Sequence, residues 1–257
     1  PKSTSLLCLS ANYIAGKMML VRAITLGLHL DTIDPTSTPL SSKKYNFIAM
    51  VPMQVEKSLA KLNLVDKLLI GGTKVSYSLS ESIMKTNCNA FESYGMTETI
   101  SHIAIKKIGE LCFTVLPNVT ISVDNRSCLV IDAPIITNEK IVTNDIVEIH
   151  YEKQFKWLGR YDNLINSGGV KLFPEQIETK LASKISNRFF ITGLPDAVLG
   201  TKVVLVIEGM EQKIAPSIFD ILDKFEKPKE VFFVSEFVET ETKKINRLQT
   251  IKKIKVV

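Results

Sequence analysis

Cysteine and histidine are scarce in this chain, and neither is grouped. Cys8, Cys88, Cys112 and Cys128 form no C-x-x-C pair, and His29, His102 and His150 show no metal-ligand spacing. That pattern excludes a zinc ribbon or a disulfide-stapled scaffold and favours reduced thiols in a cytoplasmic protein. Long apolar runs are also missing. The stretch from Met18 to Leu30 is interrupted by Arg22 and His29, too short and too polar for a membrane span. No signal peptide is expected, and the sequence shows no Ser/Gly-rich linker, internal repeat or low-complexity segment. A net charge of +5 without interleaved aromatics and arginines does not favour nucleic acid, and an anionic small molecule suits it equally well. What is present is ordinary globular composition, 45% hydrophobic and 23% charged, in a chain long enough for one large domain or two smaller ones with a proper core.

Read in order, Ser5–Leu9 predicts a buried strand, Asn12–Gly16 a turn, and Lys17–Leu28 a helix carrying Arg22 on a mostly apolar stretch. A charge there needs either a partner or a route to solvent along its own stem. Tyr45–Met50 and Lys67–Ile70 predict strands, with a helix over Gln54–Leu62 between them. A helix capped by Ser78 or Ser80 follows and runs to about Thr86. Strands alternating with helices imply a mainly parallel α/β layer. From Ile103 to Val147 the character turns to short β segments, and a hairpin through Glu152–Gln154 leads into Phe155–Leu158. Beyond Asp162 the pattern resets: a helix over Pro174–Ile185, strands over Arg188–Gly193 and Lys202–Glu208, a helix over Pro216–Phe225, a strand over Glu230–Val234, and a Lys-rich helix from Asn246. The fold class expected is α/β plus α+β, with a partial N-terminal α/β domain and β-rich subdomain over residues 1–160 and a small mobile α+β domain over residues 161–257.

Three turns stand out chemically. Gly71-Gly72-Thr73 follows a predicted strand, and SYGMTET, Ser93–Thr99, is a hydroxyl-rich turn at a strand end, where open α/β sheets bind ligands. Trp157–Glu178 runs through Gly159-Arg160, Asp162 and Ser167-Gly168-Gly169 to Pro174, which suits the first position of a helix. A glycine pair permits positive φ or close approach to a ligand, and also serves an ordinary turn.

Together these motifs resemble the adenylate-forming acyl-CoA synthetase superfamily. SYGMTET is similar to its Y-G-x-T-E, Thr143-Asn144-Asp145 to its T-G-D, and GRYDNLINSGGVKLFPEQIE to its G-R-x-D…G-G…P-x-x-I-E. TETKKINR, Thr240–Arg247, is similar to T-x-[ST]-G-K-[IV]-x-R. Asn144 and Lys243 stand where the family has glycine. The resemblance implies ATP, Mg2+ and coenzyme A as cofactors and substrates. It gives Asp145 the ribose hydroxyls, Arg160 the ribose and phosphates, and Tyr94 with Gly95 and Gly71, Gly72 and Thr73 the adenine. Thr97 falls to the α-phosphate and Glu98 to the metal. Lys244 would stabilise charge during adenylation, Asp162 would be the hinge, and Gly168 and Gly169 would line the pantetheine path.

LLCLSANYIAGKMMLVRAITLG looks most like the o-succinylbenzoate–CoA ligases of menaquinone synthesis, with Tyr13 where histidine is usual. The substrate there is a dicarboxylate, so Arg22 would take the second carboxylate, with Tyr13 and Ser167 nearby. The family's phosphate loop normally lies a few dozen residues before this segment, and the 257-residue chain alone is expected to adenylate poorly without it. Two other readings stay open: a different acyl- or aryl-CoA ligase, and a non-catalytic nucleotide-binding remnant. A homodimer is compatible with either.

Overall fold

The computed structural model describes residues 3–240 and 245–254. The chain divides into two compact units, Pro1–Thr143 with Val147–Trp157, and Asn144–Ile146 with Leu158–Val257. The break after Trp157 lies just ahead of Arg160, and Asn144–Ile146 groups with the second unit rather than with its sequence neighbours.

The first unit begins β1 (Thr4–Leu7), α1 (Ile14–Leu26), β2 (His29–Thr32), β3 (Tyr45–Met50), α2 (Pro52–Lys57), β4 (Val65–Ile70), α3 (Tyr77–Met84) and β5 (Asn89–Gly95). It continues through β6 (His102–Lys107), β7 (Phe113–Val115), β8 (Thr120–Val123) and β9 (Cys128–Asp132), with β10 (Ile141–Tyr151) and β11 (Gln154–Arg160) completing the sheet. The order across the sheet is β2-β1-β3-β4-β5-β6-β7-β11-β10-β9-β8. β1 to β5 pair in parallel and β6 turns antiparallel.

The parallel strands are apolar on both faces because helices cover both. Leu6, Ile48, Leu68 and Ile70 pack with Val55, Leu62, Leu79 and Ile83 on one side, while Leu7 and Ala49 receive Met19 of α1 on the other. In the antiparallel part Phe155 is fully buried and touches Tyr94 and Phe113, with ring centroids 5.1 and 5.5 Å away.

Several boundaries differ from expectation. α1 starts at Ile14, so Gly16 lies inside its first turn, where a Cβ would sit 2.3 Å from the Ser10 carbonyl oxygen. Its end is a left-handed Gly27, φ +64°, with Leu28 N–H on Ala23 O. α3 is capped by Ser76, whose hydroxyl accepts from Leu79 N–H at 3.2 Å, not by Ser78 or Ser80. β2 is a short polar edge strand without an alternating apolar face, and sequence periodicity does not reveal it.

In the second unit β12 (Ile165–Ser167) and β13 (Val170–Leu172) form a hairpin. α4 (Pro174–Leu181) then leads to β14 (Phe189–Asp196), β15 (Gly200–Glu208), β16 (Glu230–Val234) and α5 (Arg247–Ile251). β14 and β15 are antiparallel, β15 and β16 parallel. Ile177 and Leu181 of α4 pack on one face of this sheet, and Phe237 and Ile251 on the other. α4 stops at Leu181, short of the expected Ile185. The segment Pro216–Ile221 is a 3-10 helix that ends because Leu222 must turn extended to bury its side chain, 5% exposed.

Truncating Phe155 to Ala removes the ring between Tyr94 and Phe113 and should cost about 3–5 kcal/mol. Urea unfolding followed by the fluorescence of the single tryptophan, Trp157, measures it.

Candidate active site

The expected nucleotide residues fall into two sets, one in each unit. In the first unit the parallel ladder pairs Leu69 with Phe91 and Ile70 with Glu92, which sets Gly71 beside Ser93. Ser93 Oγ donates to Ile70 O at 3.0 Å, and a Cβ on Gly71 would lie 2.7 Å from Ser93 Oγ, so a side chain there would displace that hydroxyl from its hydrogen bond. Gly72 is left-handed, φ +91°. Glu92, nearly buried, accepts Val75 N–H at 3.2 Å and pairs with Lys106 at 3.1 Å, so it holds the far end of the Gly71–Lys74 loop.

At the end of β5 the ladder to β6 shifts between Tyr94 and Gly95. A Cβ on Gly95 would meet Ser101 O at 2.2 Å, so the turn closes only over glycine. Tyr94 is half-buried, its ring committed in part to Phe113 and Phe155. Thr97 and Glu98 project to solvent from a 3-10 turn, Thr97–Thr99. Beneath them Thr99, absent from the sequence expectations, is fully buried: its hydroxyl accepts Met96 N–H at 2.9 Å and reaches Ser101 O at 2.7 Å.

Ile100 carries φ +61° and ψ −49°, with Ser101 N–H returned to Thr99 O. This is a γ-turn of the rarer, strained form, on a β-branched residue. Such backbone persists where its surroundings over-determine it, and here Thr99 does so.

Arg22 reports a different electrostatic situation. Half-buried on α1, it lies over the Phe47 ring at 5.7 Å, with Nη1 3.7 Å from Met19 Sδ. Among the described residues no carboxylate pairs with it. Burial holds its pKa below the usual arginine range. His102, beside Ser101 Oγ, is pushed down by burial and then by the Arg22 charge, which favours the neutral ring. Tyr13, at the N-terminus of α1, is exposed.

In the second unit Asp145 is 6% exposed, with Arg160 Nη1 3.6 Å from its Oδ1. Arg160 Nη2 also reaches Asp162 Oδ2 at 3.3 Å, and Asn144 Nδ2 donates to the same oxygen at 3.4 Å. Asp145 of β10 therefore meets Arg160 at the end of β11, with Asp162 two residues beyond it. Gly168 and Gly169, φ +58° and +84°, form the two-residue turn of the β12–β13 hairpin, the geometry glycine pairs favour. Ser167 is not at an open mouth: it shares the inward face of β12 with Ile165, while Asn166 points out. Lys244 lies outside the described residues. Among the described residues no three His, Cys, Asp or Glu side chains could hold a metal by themselves. Magnesium bound through one carboxylate and phosphate oxygens would need no such cluster.

Two outcomes follow from the first unit. Thr99→Val orphans Met96 N–H and Ser101 C=O and should destabilise by about 1–3 kcal/mol, read by denaturation. Arg22→Met removes the charge facing His102 and should raise that ring's pKa toward 6.5, the value without perturbation, in an NMR titration of the three histidines.

No protein-family model matches the chain. A 2-succinylbenzoate–CoA ligase of Staphylococcus aureus is 25% identical over 91% of this chain but 56% of its own length. The chain thus spans about half the length of the curated relatives it matches. The o-succinylbenzoate–CoA synthetase of Bacillus subtilis, solved in complex with ATP and magnesium, shares the fold with a TM-score of 0.81, at 19% identity over 97% of this chain and 61% of that one. An acyl-CoA synthetase (AMP-forming)/AMP-acid ligase II-like protein of Dyadobacter fermentans is 38% identical over 98% of this chain and 79% of that one, with a TM-score of 0.62. With that identity over that coverage, the chain belongs to the AMP-forming acyl-CoA synthetase family.

Proposed function

We propose that the chain carries the machinery of an acid–thiol ligase acting on a dicarboxylate, with o-succinylbenzoate as the substrate that fits best. A carboxylate attacks the α-phosphorus of ATP to give an acyl-adenylate and pyrophosphate, and coenzyme A then displaces AMP to form the thioester. The curated relatives carry the name of this ligase, which supports the reading. The observation that carries the substrate assignment is Arg22, a half-buried guanidinium that no carboxylate among the described residues neutralises. A cation left unpaired at that depth is costly unless an anion arrives from outside the protein.

In this reading Asp145 accepts hydrogen bonds from the ribose, and Arg160, already beside it, extends its charge toward ribose and phosphate. Gly71, Gly72, Thr73, Tyr94 and Gly95 border the adenine, and the strained turn at Ile100 holds Thr97 toward the α-phosphate. Magnesium, held by Glu98 and phosphate oxygens, supplies neutralisation of phosphate charge. Lys244 is assigned to adenylation, and Asp162 to the hinge between a domain over residues 1–160 and one over residues 161–257. Gly168 and Gly169 are assigned to the thiol path. Burial pushes the Cys8 thiol up to about 12 and Cys88 up to about 11, keeping both protonated and inert, in keeping with a cytoplasmic setting. No helix among the described residues is long and apolar enough to cross a membrane.

Calorimetry with non-hydrolysable acyl-adenylate analogues tests the reading without requiring a complete triphosphate site. The o-succinylbenzoyl analogue should bind more tightly than benzoyl or fatty-acyl analogues. Asp145→Ala should weaken all of them by about 10- to 100-fold, the worth of a charged hydrogen bond. Arg22→Ala should erase only the preference for the dicarboxylate. A preference that survives Arg22→Ala sinks the substrate assignment, and no binding by any analogue counts against both the ligase and a nucleotide-binding remnant.

A further inference from the structure

Glu92 of β5 and Lys106 of β6 are direct partners in the antiparallel ladder, on the sheet face that also buries Ala90 and Ala104. Their side chains are 9% and 19% exposed. Withdrawing two charges from water is costly, and an apolar pair of similar size would serve stability as well. The two carboxylate oxygens act in different directions. Oε1 accepts Val75 N–H at 3.2 Å, and Oε2 takes Lys106 Nζ at 3.1 Å. A glutamine at this position could accept from Val75 equally well, but it would turn an NH2 donor toward the ammonium. The carboxylate is therefore what ties the glycine loop to β6.

The ammonium has a second partner, the face of Phe113, whose centroid is 4.8 Å away. Phe113 lies 5.7 Å from Tyr94 and stacks at 5.5 Å on Phe155, which meets Tyr94 edge-on at 5.1 Å. Two phenylalanines thus set the Tyr94 ring, and one of them carries the Lys106 charge. At the loop itself Lys74, the residue before Val75, lies over the Trp157 ring at 5.3 Å, and Trp157 packs on the same cluster as Tyr94. The glycine loop and the Tyr94 ring therefore share their attachments, all within the first unit.

We propose that Lys106 and Glu92 are positioning residues for the nucleobase, holding the Gly71–Thr73 loop and the Tyr94 ring at a fixed separation, so that selectivity for adenine depends on an ion pair that does not touch the nucleotide. The inference rests on the reading of that loop and ring as the border of the adenine. Neither residue lies in the SYGMTET turn or in any other motif of the chain. Adenine differs from hypoxanthine at one edge, a 6-amino donor in place of a carbonyl acceptor. A loop backbone distinguishes such edges only when its distance from the ring that receives the base is constant. Glycines give the loop no stiffness of their own, so the stiffness comes from Glu92 on one side and the aromatic cluster on the other.

The test uses the whole chain, the variant Lys106→Met and the double variant Glu92→Gln/Lys106→Met. The probes are a non-hydrolysable o-succinylbenzoyl-adenylate analogue and its counterpart with hypoxanthine in place of adenine, their binding measured by calorimetry. The parent should prefer adenine. Lys106→Met keeps an apolar stem over Phe113 but strands Glu92, so it should unfold at lower urea and lose about tenfold of the base preference. The double variant removes both charges while its glutamine still accepts from Val75, so urea stability should return close to the parent's. The base preference should nevertheless stay lost, and the Val75 amide should exchange about tenfold faster than in the parent, while the amides of β3 keep their protection. A pair that is merely structural would restore preference and stability together, and that result overturns the proposal. So does parent-like exchange at Val75 in the double variant, which also carries the comparison should Lys106→Met not fold. Equal binding of the two bases by the parent overturns the reading of the loop as the adenine border; with the preference present in the parent, the variants alone decide the proposal.

Discussion

The parallel ladder between β4 and β5 is the constraint on which the first unit's site depends. Once Ile70 is paired with Glu92, Gly71 and Ser93 lie side by side, and a side chain at Gly71 would displace the Ser93 hydroxyl from Ile70 O. Glu92 then reaches forward to Val75 N–H and sideways to Lys106, closing the glycine loop at its other end. One strand further, the shift at Tyr94 and Gly95 bends β5 out of register with β6 and starts the turn that presents Thr97 and Glu98. A slip of one residue in this ladder would turn Leu68 and Ile70 away from their core and displace both loops together. Position in the site and burial in the core are therefore the same requirement.

Three arginines show how the surroundings of a charge decide its use. Arg247 has a bidentate carboxylate, a carbonyl and an aromatic face, and nothing is left over for a ligand. Arg160 lies between Asp145 and Asp162 but is nearly half exposed, so part of its fork can serve a phosphate. Arg22 has a ring, a thioether and a histidine pushed toward its neutral form, and no carboxylate among the described residues. Of the three, Arg22 alone has no carboxylate partner among the described residues, and an incoming anion would neutralise it.

Legibility in the sequence followed the source of each element's stability. β3 and β16 are readable to the residue, because each is a short run rich in aromatic and branched apolar residues bounded by turn residues. β2 was not, since an edge strand of His, Leu, Asp and Thr owes its existence to β1 rather than to its own pattern. The start of α1 was placed late because Gly16 looks like a turn residue, whereas its task is close packing on Ser10. The site's residue types were legible as motifs. What the motifs do not reveal are the supports: the buried hydroxyl of Thr99, the strained Ile100, and Arg188 on Phe237, all defined by local contacts or by backbone torsion.

The substitution of asparagine for glycine at position 144 gains meaning from this contrast. Its amide reaches the same Asp162 oxygen as Arg160, so the residue assigned as hinge is tethered twice on one side. Both tethers are exposed and 3.3–3.4 Å long, and contacts of that kind are worth about 0–1 kcal/mol each. Rotation about Asp162 would break them cheaply, and water would replace them. The Arg247–Glu178 attachment is shorter, bidentate and four-fifths buried, and breaking it would strand a carboxylate that burial already disfavours as an anion. Stiffness therefore lies at the Arg247–Glu178 pair and compliance at the contacts of Asp162. The contrast arises from differences in burial between ion pairs of the same chemical type.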